Sequence, residues 1–282
     1  MRETGKEAEL MIGNFCEDKK RGDAGEELFA KHAGHLMENV LMLYKQRGDK
    51  ACVEGMDFFG LVIIDAEEGA FDQDDLEICP EGTKKWILKT AEAAVEVKTV
   101  NNFLTRNNNH DEESGTVEFE LWTSRTKKNL GWLHGMSYPG VHNSDDKKTS
   151  RGIYAVPPTS LVYLYCDKNG RPFVAVVFED FLALKTRLME ICPEIWPKDD
   201  GEWRVDEVDW KKQRTLLPHY GENMWHVPFD MISDLATVTM IDEDPVLEET
   251  KYSCSKALQE KRLAYLKKCA AGRHLDTENT AD

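Results

Sequence analysis

The chain has 282 residues, of which 41% are hydrophobic, and its formal net charge is −16. A chain of this length can bury one large core with appendages, whereas its acidity excludes a general nucleic-acid coat protein, which would be basic. No apolar run approaches the roughly 20 residues of a transmembrane helix, and no signal peptide is apparent. Seven scattered cysteines without a C-x-x-C pair argue against a disulfide framework or a zinc site. We therefore expect a cytoplasmic protein.

The N-terminal half predicts one helix followed by three strands. Residues 1–20 are polar and are expected to be flexible. From about Asp23 to Tyr44, apolar residues recur at the three-four spacing of an amphipathic helix. The strand candidate "MDFFGLVII" follows, and an acidic insert at about 66–88 separates it from the next candidate, "EAAVEVKTV". A third strand, "TVEFELWTS", alternates apolar residues with Glu118 and Glu120, as expected of a half-buried strand.

The C-terminal half predicts a hairpin and two helices. "TSLVYLYC" and "RPFVAVVF" flank "DKNG", a strong turn signal. "EDFLALKTRLMEI" predicts a helix that ends at Cys192, and "VPFDMISDLATVTMI" is expected to return to the domain. The tail, about Pro245 to Gly272, predicts a charged helix with a thin apolar stripe, ahead of a disordered end; the stripe consists of Ala257, Leu258, Leu263 and Leu266.

The order of these elements predicts an α/β (α+β) fold, in which helices pack on a mixed sheet. We expect one domain at 21–242 and, at 243–282, the charged helix with its disordered tail. The tail helix also offers a surface for a homodimer, although its stripe is too short to indicate a coiled coil.

Glu96 and Lys98 lie two residues apart within "EAAVEVKTV". Residues i and i+2 of a strand share a face, so both charged side chains emerge together, while Val95, Val97 and Thr99 face the other way. Charged side chains are rarely buried without a partner. The pattern indicates either an exposed strand with an incidental ion pair or a site where a ligand completes the pair.

Two further acids precede this strand in the sequence. Asp57 stands at the start of the preceding strand candidate, and Glu26 lies three and seven residues before Phe29 and Ala33, on the flank of the packed stripe. Glu27 is rotated by about 100° and is expected to face solvent. Each acid also has a plain structural interpretation, because Glu26 suits the positive end of a helix and Asp57 can cap a turn.

Together, these residue types suit metal-assisted phosphodiester hydrolysis. A divalent cation polarises a phosphate and lowers the pKa of an attacking water, and Mg²⁺ prefers one or two carboxylates with water and phosphate oxygens. Asp57, Glu96 and the backbone carbonyl of Val97 would bind Mg²⁺ or Mn²⁺. Lys98 would orient or deprotonate the water and stabilise developing charge, and Glu26 would hold a metal-bound water or a second ion.

The series Glu26, Asp57 and Glu96-Val97-Lys98 resembles the PD-(D/E)XK nuclease superfamily. The run "VEVKTVNNFLTRNN", with the later "GTVEFELWTS", "GW" and "TSLVYLYC", looks like the phage and bacterial members. The resemblance spans about Gly22 to Leu235. It implies a restriction-endonuclease-like mixed central sheet flanked by helices, metal-dependent DNA cleavage, and a position for Glu120 that points towards the active site.

The chain departs from the family pattern at three places. Members typically carry "TGN" in the loop after E-x-K, where this chain has "LTRNNN", with Asn107 or Asn108 as the nearest equivalent. Met56 precedes Asp57 where members often have Pro, and 39 residues separate Asp57 from Glu96, which is long for the family. The acidic insert would then have to loop out of the sheet. If it belongs to the sheet instead, Asp72 or Asp74 could take the place of Asp57.

A nuclease with this net charge needs local positive surface, because phosphate contacts come mainly from Lys, Arg, Asn and backbone amides. Six residues flank the strand that bears Glu120 and are candidate nucleic-acid contacts, although solvated loop charges are an equally plain interpretation. They are Arg106, Asn107, Asn108, Arg125, Lys127 and Lys128.

Three functions are consistent with these patterns. The first is a metal-dependent deoxyribonuclease, with RNA as an open alternative substrate. The second is a catalytically inert nuclease-fold protein whose acidic surface binds a protein or mimics nucleic acid. The third is an unrelated enzyme of the α/β class.

Overall fold

The computed structural model describes most of the predicted elements. It covers residue 20 and the ranges 22–37, 39–45, 57–69, 84–100, 113–120, 158–167, 169–193, 224–247 and 254–272. None of the helices in these ranges has the length and apolar character needed to cross a bilayer.

The first helix, α1, runs through residues 22–36 and buries Phe29, Ala33 and Leu36 on one face. The prediction that it continues to Tyr44 is wrong, because Val40–Lys45 forms strand β1. This short apolar run matches a helix or a strand equally well by periodicity alone. Pairing with the next strand decides between them, and the Ile63 amide donates to the Asn39 carbonyl at 2.7 Å where that pairing begins.

In the described part of the chain, seven strands follow β1: β2 Phe58–Gly69, β3 Lys85–Val100, β4 Thr116–Glu120, β5 Ser160–Cys166, β6 Pro172–Phe178, β7 Met224–Pro228 and β8 Thr237–Met240. Six of these eight strands form a mixed main sheet in the order β1-β2-β3-β5-β6-β8. Its neighbours are antiparallel except for β3 and β5, which run parallel. The remaining strands, β4 and β7, form a separate antiparallel pair.

β2 and β3 form a long hairpin arm that includes both ends of the predicted acidic insert. Pairing continues from Phe58 opposite Val95 to Gly69 opposite Lys85, with one irregularity between Ile63 and Asp65. The insert therefore does not loop out of the sheet at 66–69 or 85–88. Asp72 and Asp74 lie outside the described residues. The arm accounts for the long separation between Asp57 and Glu96.

The main sheet is covered on both faces. On one face, α1 packs Phe29 against Phe58, Val95 and Val97. On the other face, the β4–β7 pair and two further helices enclose a second core around Tyr163. These helices are α2, Phe181–Ile191, and α3, Lys256–Gly272. The predicted mixed sheet with packed helices is confirmed at this level.

The C-terminal elements mostly follow their sequence signals. The β5–β6 turn contains Gly170 at φ 74°, and the Asp167 carboxylate accepts the amides of Asn169 and Arg171 at 2.8 and 2.9 Å. α2 begins at the predicted place. The buried side of α3 differs from the predicted apolar stripe, because Ala257 is exposed and the helix buries Gln259, Arg262 and Leu266.

Candidate functional site

Glu96 lies in the most deeply buried part of β3, where Ala93, Ala94, Val95 and Val97 are also buried. Only 6% of the residue is exposed, and its carboxylate forms an ion pair with the Lys98 ammonium. The Lys98 side chain is 34% exposed, so the lysine connects the buried acid to solvent. Burial raises the pKa of Glu96, while Lys98 opposes that rise. Glu96 and Lys98 therefore share a face, as their spacing predicts, with the carboxylate buried and the ammonium group partly exposed.

Asp57 is held against the same segment of β3 by its own backbone and side chain. Its amide donates to the Val95 carbonyl at 3.1 Å, and its Oδ2 accepts the Val97 amide at 2.8 Å. Burial and the nearby Glu96 carboxylate raise the pKa of Asp57 from 3.8 to about 7, although the hydrogen bond from Val97 opposes this. The half-buried Asp57 and the buried Glu96 thus form an acidic pair, in which the raised pKa favours protonation of Asp57.

Glu26 reaches this pair from α1, which approaches β3 very closely. A Cβ added to Gly25 would lie 1.8 Å from Thr99 Oγ1, so only glycine allows this contact. The Glu26 carboxylate raises the pKa of both Asp57 and Glu96. Because such effects weaken with distance, Glu26 lies near both acids. Glu27 is exposed, as the helical spacing predicts.

Lys45 is the site residue that the sequence patterns missed. It is the last residue of β1 and lies opposite Phe58, the residue after Asp57. Its ammonium is 3.0 Å from the Glu26 carboxylate. Lys45 falls in the segment that was predicted to be helical. The signal for this position is the end of β1 beside the Asp57 segment, where Lys45 lies opposite Phe58.

The three carboxylates and two ammonium groups form a site with a formal charge of −1 when all are ionised. Within the described ranges, no group of three or more His, Cys, Asp or Glu side chains is arranged to hold a metal ion. The donor set that remains is the Asp57–Glu96 pair. Two carboxylates completed by water and phosphate oxygens are the set that Mg²⁺ prefers, so the residues present fit a hard divalent cation.

Two other predictions concern neighbouring segments. Val97 contacts Asp57 through its amide, and a role for its carbonyl as a metal ligand stays a prediction. Glu120 ends β4 and follows Phe119. The Phe119 ring packs edge-on against the ring of Tyr163, with 6.3 Å between their centroids. Tyr163 lies opposite Lys98 in the main sheet. The Glu120 backbone therefore lies in an element that packs on the Lys98 face of the sheet.

The predicted nucleic-acid contacts lie outside the described residues. They are Arg106, Asn107, Asn108, Arg125, Lys127 and Lys128. Comparison of the chain with protein-family models, with curated proteins and with solved structures finds no match. The functional assignment therefore depends on the chemistry of the site itself.

Proposed function

We propose that the chain is a divalent-metal-dependent nuclease that hydrolyses phosphodiester bonds of DNA. The observation that carries this proposal is the buried Glu96 carboxylate with the half-buried Asp57 and the partly exposed Lys98 beside it. Burying two carboxylates together is costly unless cations compensate them. Two neighbouring carboxylates with a lysine at their exposed side suit a metal ion and an anionic substrate. The restriction-endonuclease-like arrangement that the resemblance implies is part of the same proposal.

Each protein group has a defined part in this chemistry. A bound Mg²⁺ or Mn²⁺ would polarise the phosphate and lower the pKa of the attacking water. Asp57 and Glu96 would hold the cation, and the Val97 amide fixes the orientation of the Asp57 carboxylate. The Lys98 ammonium would bind a phosphate oxygen and stabilise the negative charge that develops in the transition state.

A DNA cleavage assay tests the proposal. The purified chain is incubated with plasmid, single-stranded DNA and single-stranded RNA in Mg²⁺, Mn²⁺ or EDTA. We expect metal-dependent cleavage of DNA that Asp57→Asn and Glu96→Gln abolish. Glu92→Gln is the matched control, because Glu92 is an exposed residue of the same strand.

The same assay addresses the alternative of an inert acidic binding module, which the net charge of −16 favours. Absence of cleavage in every metal and substrate, together with no thermal shift on adding Mg²⁺ or Mn²⁺, would reject the nuclease and support that alternative. Cleavage that persists in Glu96→Gln would place the active site elsewhere.

A further inference from the structure

Lys45 and Glu26 form a second ion pair at the edge of the site. Their charged atoms are 3.0 Å apart, and the side chains are only 29% and 21% exposed. The pair joins the end of β1 to the first turns of α1. Because both groups are largely removed from water, their attraction is screened less than that of a surface pair. This contact holds the Glu26 carboxylate against an ammonium group.

We infer that Lys45 reserves Glu26 as its counter-ion, so that the site takes one divalent cation, held by Asp57 and Glu96. This inference rests on the proposed function. A second cation near Glu26 would have to share the carboxylate with Lys45, and two positive charges at that distance repel. Lys45 is thus a positioning residue, which leaves Glu26 to act on a water molecule rather than as a ligand of a second ion.

The placement of the acids supports a single cation position. Asp57 is held against β3 by the Val97 amide beside Glu96, whereas Glu26 extends from another element. Within the described residues, Glu26 does not complete a three-acid metal group with this pair. Lys98 also pairs with Glu96, but in the proposed function this lysine would turn to a phosphate oxygen and release Glu96 to the cation. Lys45 has no such substrate contact and would stay with Glu26.

The charge of the site gives an independent reason. With its acids ionised, the site carries −1. One divalent cation changes this to +1, which complements the single negative charge of a phosphodiester. Two cations would give +3 around one phosphate, in a site whose groups are only partly exposed to solvent. Without the Lys45 charge, one divalent cation would leave the site neutral instead of at +1, so a second cation would meet less repulsion.

Counting bound Mn²⁺ tests the inference. Chelator-treated protein is titrated with Mn²⁺, and free Mn²⁺ is measured by electron paramagnetic resonance. We expect one ion per chain in the unmodified protein and in Lys45→Arg. Lys45→Met is expected to bind a second ion about tenfold or more tightly than the unmodified protein does, since the like charge is gone. The second ion should be absent in Lys45→Met combined with Glu26→Gln.

Lys89→Met is the control, because it breaks a 2.7 Å strand ion pair with Asp65 that lies outside the site. One ion in both the unmodified protein and Lys45→Met, or two in both, would overturn this inference alone. No ion in either would overturn the proposed metal centre as well. If Lys45→Met fails to fold, Glu26→Gln decides: retention of one ion supports the inference, and loss of that ion overturns it.

Discussion

The Asp57 carboxylate accepts the backbone amide of Val97 at 2.8 Å, so the acid is fastened to the residue between Glu96 and Lys98. This bond holds the half-buried Asp57 carboxylate beside the buried Glu96. The Val97 amide and Lys98 lower the pKa of Asp57, but burial and Glu96 outweigh them and bring it to about 7. Ionisation of Asp57 beside Glu96 is therefore unfavourable in the folded chain when no cation is bound.

Asp57→Asn is expected to make the metal-free protein more stable above pH 7. In the unmodified protein, the folded state keeps a proton on Asp57 up to about pH 7, whereas the unfolded chain releases it near pH 4. The free energy of unfolding therefore falls as pH rises from about 4 to 7, by up to roughly 4 kcal/mol from this group. Asp57→Asn has no carboxyl group that titrates at this position, so its free energy of unfolding should not fall in this way. Urea denaturation in EDTA at pH 4.5 and pH 8 measures both proteins.

The quantity to compare is the stability difference between variant and unmodified protein at the two pH values. It should grow in favour of Asp57→Asn between pH 4.5 and pH 8. Glu92→Gln, an exposed change on β3, should alter stability by no more than about 0.5 kcal/mol at either pH. A pH-independent difference for Asp57→Asn would show that Asp57 does not carry the raised pKa.

Gly25→Ala is expected to destabilise the protein and to displace Glu26. The added Cβ would meet Thr99 Oγ1 at 1.8 Å, and such overpacking costs about 1–3 kcal/mol. Gly34→Ala is the matched change in the same helix, because nothing lies within 4 Å of its added Cβ. It should stabilise by roughly 0.5–1 kcal/mol through helix propensity. Denaturation of both variants gives the comparison; equal effects would contradict the close packing of α1 on β3.

Lys98→Met is expected to lower kcat for DNA cleavage on the order of 10²–10⁴-fold, because it removes the ammonium that stabilises transition-state charge. Lys89→Met removes a lysine from the exposed arm of the same strand and should leave kcat unchanged. Steady-state kinetics in Mg²⁺, with metal affinity measured separately, separates catalysis from binding. Unchanged kcat in Lys98→Met would exclude Lys98 from the reaction.

The sequence predicts the residues whose local pattern decides their structure. The spacing of Glu96 and Lys98 follows from the period of a strand, and α2 begins where the Asp180 carboxylate accepts the Ala183 amide at 2.9 Å. Lys45 could not be placed in this way, because a short apolar run suits either a helix or a strand. Its contact with Glu26 depends on pairing between β1 and β2, which no local pattern encodes.

Glu118 illustrates the same limit. Its alternation with Val117 and Phe119 indicates an outward-facing residue, as in a half-buried strand. In the structure it is only 8% exposed and lies opposite His226 of β7. The burial arises because both faces of this two-stranded pair are covered, which follows from contacts between segments more than 100 residues apart in the chain.

Breaking the buried pair of Glu118 and His226 is expected to be strongly destabilising. Glu118 Oε1 lies 3.3 Å from His226 Nδ1, and the His226 side chain is 3% exposed. Removing either partner leaves the other buried polar group without this contact and costs about 1–3 kcal/mol. Glu118→Leu with His226→Leu should cost less than the sum of the single changes, which a double-mutant cycle in urea measures. Glu113→Ala, which breaks an exposed ion pair with Lys261, should cost at most about 1 kcal/mol. Strict additivity of the Leu variants would mean that the two side chains do not interact.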